Sequence, residues 1–155
     1  MAQRIIAGLE ELHGLKGQEV AVGDWFTLDQ SRINAFAEVS EDRQWIHVDT
    51  ERAQTDLPQG KTIAHGFLTL SLLPHFMHEA LEIKQGIRLG VNYGLNRVRF
   101  VSPVRAGSNI RARIALQSFK DVPPSGVEAV FNATVEVESG EKPCCIVEWV
   151  VRYYR

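Results

Sequence analysis

A carboxylate and a histidine stand close together in this sequence, in a short charged turn. Asp42 and His47 are five positions apart, so a reversal of the chain between them would bring both side chains to one water molecule. A carboxylate and an imidazole that share a water can remove one proton and deliver another. The spacing therefore predicts a pair that adds water to a double bond or removes it.

A glycine at the start of a long apolar segment is the second candidate. Gly66 would lie in the first turn of a helix, where backbone N–H groups have no intrahelical acceptor. Because glycine has no side chain, a carbonyl oxygen can approach that N–H closely. Such a donor would stabilise the enolate oxygen that forms when water adds to a 2-enoyl thioester, by about 3 kcal/mol.

Each candidate also has a purely structural interpretation. Asp42 can cap the turn, His47 can be a hydrogen-bonded structural histidine, and Gly66 can serve a tight junction between loop and helix. The spacing alone leaves both interpretations open.

Composition limits the classes of protein to which the chain can belong. Its 155 residues carry a net charge of −2, which predicts one domain over residues 1–155 and no basic surface for nucleic acid. Residues 1–11 lack the apolar core of a signal peptide, and no apolar run is long enough to span a membrane. We therefore expect a cytoplasmic protein. Cys144 and Cys145 are neighbours on a predicted strand, so we expect reduced thiols that point to opposite faces.

The first half of the chain shows mainly helical signals. Thr27 and Gln30 have the spacing of a capping box and predict a helix that reaches about residue 40. Residues 44–54 can include a second short helix. Segment 65–82 is apolar around its whole circumference, which predicts a long buried helix, and Pro74 inside it predicts a kink.

Strand signals follow from residue 86 onward. Alternating or β-branched segments predict strands at 87–91, 98–100, 109–119, 126–137 and 143–153, with turns between them at 102–107, 123–126 and 138–141. One buried helix and about five antiparallel strands indicate an α+β protein whose sheet wraps around the helix.

Three segments together resemble the MaoC-like (R)-specific enoyl-CoA hydratases. That family carries the motif D-x-N-P-x-H-x-D, which Asp42, His47 and Asp49 match in order and spacing. Residues 63–68, Ile-Ala-His-Gly-Phe-Leu, are similar to the family's second motif, a-H-G-x-L. Residues 99–107 are similar to a third, R-F-x-x-P-V-x-x-G. The three segments are in the family's order and lie in the middle two-thirds of the chain.

The resemblance implies a hot-dog fold and reversible syn hydration of trans-2-enoyl-CoA to (R)-3-hydroxyacyl-CoA. Asp42 and His47 would activate the water, and the Gly66 N–H would belong to the oxyanion hole. No metal and no redox cofactor would be needed. The substrate would be an acyl-CoA or an acyl carrier protein thioester, and the chain would form a homodimer whose sheets pair edge to edge.

The sequence departs from the family at one place. Gln44 and Trp45 replace the Asn-Pro pair, which is most similar to the nodulation protein N-like branch of the family. We expect both residues, together with His65, to contact substrate. Asn92, Tyr93 and Gly94 are expected to line the acyl channel.

Two other functions compete with the hydratase. A hot-dog acyl-CoA thioesterase needs a carboxylate aimed at the thioester but no matched imidazole, so His47 argues against it. A non-catalytic acyl-thioester-binding protein is favoured only by the departure at Gln44 and Trp45.

Overall fold

The computed structural model describes residues 2–138 and 140–155. Ser139, in the predicted turn at 138–141, lies outside the described residues. Eight strands and six helices follow in the order β1 (Arg4–Ile6), α1 (Leu9–Gly14), β2 (Glu19–Val22), β3 (Phe26–Leu28), α2 (Gln30–Ser40), α3 (Trp45–Val48), α4 (Thr50–Asp56), α5 (Gly66–Ser71), α6 (Leu73–Ala80), β4 (Leu81–Ile83), β5 (Leu89–Arg99), β6 (Ser108–Val122), β7 (Gly126–Val137) and β8 (Cys145–Tyr154), within the described residues. A short 3-10 turn covers Pro58–Gly60.

An antiparallel sheet of six strands forms the main layer. Its strand order is β2-β6-β7-β8-β5, and β3 also pairs with β6. The α+β prediction is confirmed, although β2 and β3 were not predicted because strands of three or four residues are too short to show alternation. The separate strands β1 and β4 form a small parallel pair.

The predicted capping box is wrong. Thr27 lies in β3 and pairs with Asn109 of β6. Helix α2 is capped instead by Asp29, whose Oδ1 accepts a 2.9 Å hydrogen bond from the Arg32 N–H. The helix still ends at Ser40, as the sequence predicts.

The buried central helix is divided into α5 and α6 at Leu72, two residues before Pro74. The predicted kink at Pro74 is therefore confirmed. Pro74 lies in the first turn of α6, where proline is tolerated because a backbone N–H at that position would have no intrahelical acceptor. Helix α6 ends at Ala80, and residues 81–83 form β4 rather than the last turn of a helix.

The core lies between the central helices and the sheet. Strand β6 points Ile110, Ala112 and Ile114 toward α6, and all three are fully buried. The two strands predicted at 87–91 and 98–100 are one strand, β5, because bulges at 92–94 and 95–97 interrupt its alternation. Cys144 and Cys145 are both buried, and burial raises the pKa of the Cys144 thiol to about 12.

None of the helices in the described residues is long and apolar enough to cross a membrane.

Candidate active site

His47 lies in the short helix α3 with its side chain buried. Its Nδ1 is 2.6 Å from the carbonyl oxygen of Ile63. A carbonyl oxygen can only accept, so Nδ1 carries the proton, and Nε2 of the neutral ring has a free lone pair. Nε2 lies 3.9 Å from Oδ2 of Asp42. The fold therefore presents a base whose lone pair faces a carboxylate.

Asp42 directly follows the end of α2, where Glu41 adopts a left-handed conformation with φ 65°. This turn directs Asp42 away from the helix axis and toward His47. The Asp42 Oδ1 accepts a 3.3 Å bond from the Gln44 N–H, while Oδ2 is too far from His47 for a direct hydrogen bond. A water about 2.8 Å from both Oδ2 and Nε2 would bridge them.

Gln30, at the start of α2, hydrogen-bonds to the backbone of His47. Its amide donates to the His47 carbonyl oxygen at 2.7 Å. The same side chain accepts a hydrogen bond from the buried Thr62 hydroxyl, next to the Ile63 carbonyl that binds the His47 ring. Sequence reasoning missed Gln30, because a glutamine in the first turn of a helix gives no signal of a partner 17 positions away.

His65 contacts the pair from the protein interior. Its ring stacks on that of His47 with a centroid distance of 3.7 Å and an interplanar angle of 23°. Its Nε2 lies 2.9 Å from the Asp42 carbonyl oxygen, and because this oxygen only accepts, Nε2 donates. His65 therefore contacts both candidate catalytic residues, and its contact with substrate stays a prediction.

Gly66 is the first residue of α5, so its N–H has no intrahelical acceptor. The ring of Phe100 lies against this glycine, and a Cβ at position 66 would be 2.9 Å from two carbons of that ring. A larger residue at position 66 would therefore force the Phe100 ring or the first turn of α5 to shift. Phe100 is about half exposed and also packs edge-on against Phe67.

One cavity is shared by His47, Gly66 and Phe100. It has a volume of about 310 Å³, and it is lined by His47, Ile63, Ala64, Gly66, Thr69, Phe100, Val101, Ser102, Pro103, Val104 and Cys144. The candidate base, the first residue of α5 and an apolar wall thus border a single space large enough for a short acyl group.

The other predicted contacts lie elsewhere. Gln44 is exposed at the start of α3, and the ring of Trp45 lies 3.7 Å under the guanidinium of Arg52 rather than in the cavity. Asn92 and Gly94 line a separate groove of about 400 Å³ between the central helices and β5. Tyr93 lies in the bulge of β5, and its ring is 3.6 Å from the Arg152 guanidinium.

Asp42, His47 and His65 also offer donor atoms within 4.8 Å of one another. A metal ion lies close to the plane of each imidazole that binds it, on the nitrogen lone pair. Two stacked rings cannot both direct a lone pair at one ion, so this cluster does not fit a shared metal.

Comparison with known proteins places this geometry in a family. The chain is 45% identical to 3-hydroxyacyl-thioester dehydratase Z of Mycobacterium tuberculosis over 150 residues, which cover 97% of this chain and 98% of that protein. It is 41% identical to nodulation protein N of Rhizobium meliloti over 142 residues, 92% of this chain and 88% of that protein.

Structural comparison agrees. The X-ray structure of a monoamine oxidase regulatory protein from Archaeoglobus fulgius matches with a TM-score of 0.76 at 21% identity, over 100% of this chain and 99% of that one. The fold, a sheet wrapped around a central helix, is the hot-dog fold. Residues 12–138 match the profile of the MaoC like domain. The chain therefore belongs to the MaoC-like dehydratase family.

Proposed function

We propose that this protein is a hydro-lyase that reversibly hydrates trans-2-enoyl-CoA to (R)-3-hydroxyacyl-CoA. The observation that carries the proposal is the free lone pair of His47 Nε2, 3.9 Å from Asp42 Oδ2. His47 and Gly66 both line one cavity. The thioester dehydratase at 45% identity supports the same reaction class.

The reaction needs one water held between Asp42 and His47. His47 Nε2 removes one proton while the water oxygen bonds to C3 of the enoyl group, and the electrons of the double bond move to the thioester oxygen. The Gly66 N–H donates to this enolate oxygen. The proton then returns from the pair to C2, so that both parts of the water add from one face.

The free edge of β5 supports a homodimer. On the side away from β8, this strand pairs with no other described strand. Leu89, Val91, Tyr93 and Leu95 on it are all exposed. A long apolar edge strand is a template for pairing with a second copy. Size-exclusion chromatography with light scattering should give a mass near twice the 17.4 kDa of one chain.

The activity test follows the loss of enoyl absorbance with crotonyl-CoA, a longer trans-2-enoyl-CoA and the same acyl groups on acyl carrier protein. We expect hydration to the (R)-alcohol, and a loss of about 1000-fold in kcat for Asp42→Asn and for His47→Gln, because each removes one member of the acid–base pair.

Asp49→Asn is the matched control. Asp49 belongs to the same motif but caps α4 by accepting from the Arg52 N–H at 3.0 Å. Asparagine caps helices equally well, so full activity is expected. Folded wild type that hydrates none of these substrates would refute the proposal, and release of free thiol would indicate a thioesterase instead.

A further inference from the structure

The His65 side chain contains a polar atom that the fold leaves without a partner. His65 is only 3% exposed, and its Nδ1 has no hydrogen-bond partner among the described residues. A buried polar atom without a partner destabilises the folded protein, because it has lost its hydrogen bonds to water. Phenylalanine would fill a similar space without this cost, so a histidine here needs a compensating contact.

The opposite ring nitrogen makes that contact. Nε2 donates to the Asp42 carbonyl oxygen at 2.9 Å and so joins two segments that are 23 positions apart in the chain. Phenylalanine and every other apolar side chain lack this donor. The bond fixes the backbone of Asp42, which otherwise lies in an exposed turn.

The ring face makes a second contact. It stacks on the His47 ring at 3.7 Å, while the ring of Phe36 packs against it at 4.9 Å with a tilt of 59°. The stack thus restricts rotation of the His47 ring, whose Nδ1 is bonded to the Ile63 carbonyl oxygen.

The backbone of His65 connects these contacts to the oxyanion donor. His65 immediately precedes Gly66, and its carbonyl oxygen accepts from the Leu68 N–H at 3.1 Å, which begins α5. The backbone that carries the His65 ring thus adjoins the Gly66 N–H at the start of α5.

We propose that His65 is a positioning residue that holds Asp42, His47 and Gly66 in one arrangement, through its hydrogen bond, its stacked ring and its place in the chain. This inference rests on the proposed function. The contact with substrate that the sequence predicts for His65 stays a prediction.

Two variants separate the two side-chain contacts. His65→Phe keeps the stacked ring and removes both the donor and the unpartnered nitrogen, whereas His65→Gln keeps a donor of similar reach and removes the ring. We expect kcat to fall about 100-fold in His65→Phe, as for a catalytic group displaced by about 1 Å, with KM changed less than about 3-fold. His65→Gln should retain more activity than His65→Phe if the donor dominates.

Stability provides a readout that a purely structural role would not give. His65→Phe loses one hydrogen bond but also the unpartnered buried atom, so Tm should stay within a few degrees of wild type while kcat falls. The double variant His47→Gln, His65→Phe should lose less activity than the product of the two single losses, because the part of the His65 effect that acts through His47 is already gone.

A measurement without substrate separates this inference from the proposed function. In ¹⁵N spectra of the histidine rings, wild-type His47 should show the single tautomer with the proton on Nδ1, and His65→Gln, which removes the stacked ring, should show a mixture or exchange broadening. An inactive wild type, together with this spectral change in His65→Gln, would refute the proposed function and keep the positioning role. Unchanged kcat in His65→Phe and an unchanged His47 spectrum in His65→Gln would overturn the role.

Discussion

The outer face of the sheet and the candidate active site use the same kinds of side chain in opposite ways. On the sheet, the Arg111 and Arg113 guanidinium groups each donate to Glu136 at 2.8 Å. Partial burial by itself would raise the pKa of Glu136, but the hydrogen bonds and charges of the two arginines hold it below its ordinary value. Arg152 and Glu128 form a similar pair at 2.9 Å.

At the site, polar atoms are left incompletely paired. Asp42 Oδ2 lies 3.9 Å from His47 Nε2, beyond hydrogen-bond distance, and the Gly66 N–H has no intrahelical acceptor. His65 Nδ1 is buried without a partner among the described residues. The comparison teaches that pairing on the sheet serves stability, whereas unfilled hydrogen-bonding capacity at the site is available to water and substrate.

Among variants that leave the acid–base pair and His65 unchanged, filling the space beside Gly66 should have the largest effect. A methyl group in Gly66→Ala would lie 2.9 Å from the Phe100 ring, so the ring or the N–H at the start of α5 must shift. We expect kcat to fall about 100-fold with little loss of stability, as for removal of one oxyanion donor. Gly14→Ala is the matched control, since a Cβ there meets nothing within 4 Å. Steady-state kinetics and thermal melts measure both, and full activity in Gly66→Ala would remove Gly66 from the mechanism.

Removing the support of His47 should have a smaller effect. Gln30→Met keeps the length of the side chain but loses the bonds to the His47 carbonyl and the Thr62 hydroxyl. We expect kcat to fall about 10-fold, because the ring stays in place but is less well oriented. Asn34→Ala is the control, since Asn34 contacts the same glutamine only on the exposed side. Equal losses in both variants would contradict the specific role of Gln30.

A substitution on the sheet should lower stability and leave kcat unchanged, the opposite of the variants at the site. Glu136→Gln weakens the bonds to Arg111 and Arg113, and we expect a loss of about 1 kcal/mol in the free energy of unfolding with unchanged kcat. Because folding lowers the pKa of Glu136, its contribution is present above the unfolded pKa and disappears as pH falls through the folded pKa. Urea titrations at pH 7 and at successively lower pH should show the difference at pH 7 and its decline as pH falls, with the exposed Glu79→Gln as control.

The buried cysteines should show the smallest effect at neutral pH. Burial raises the pKa of Cys144 to about 12 and that of Cys145 to about 11. Neither thiol should react with iodoacetamide at pH 8 unless the protein is unfolded. Raised pKa values favour the neutral form, so their contribution to stability is complete below about pH 9 and is lost as pH rises toward the folded values. Rapid labelling of the folded protein would contradict this.

The sequence predicts the parts of the site that depend on local spacing. Asp42 and His47 meet across one turn, and Gly66 begins a buried helix, so motif spacing is sufficient to find them. Gln30 and Phe100 approach the site through tertiary contacts, which no local pattern encodes.

The fold is likewise divided between elements that a local pattern predicts and elements that depend on tertiary contacts. The long strands β6, β7 and β8 alternate clearly and were predicted within three residues. The short strand β3 depends on pairing with β6 for its stability, so its own residues carry little signal. Trp45 was expected to contact substrate, but the guanidinium of Arg52 covers its ring.

The two bulges of β5 limit which strands can join the free edge. Each bulge, at 92–94 and at 95–97, offsets the outward row of N–H and C=O groups by one position. A regular strand from an unrelated chain can match that row over only a few residues. The irregularity of this edge thus makes it a poor template for regular strands and works against indiscriminate growth into fibrils.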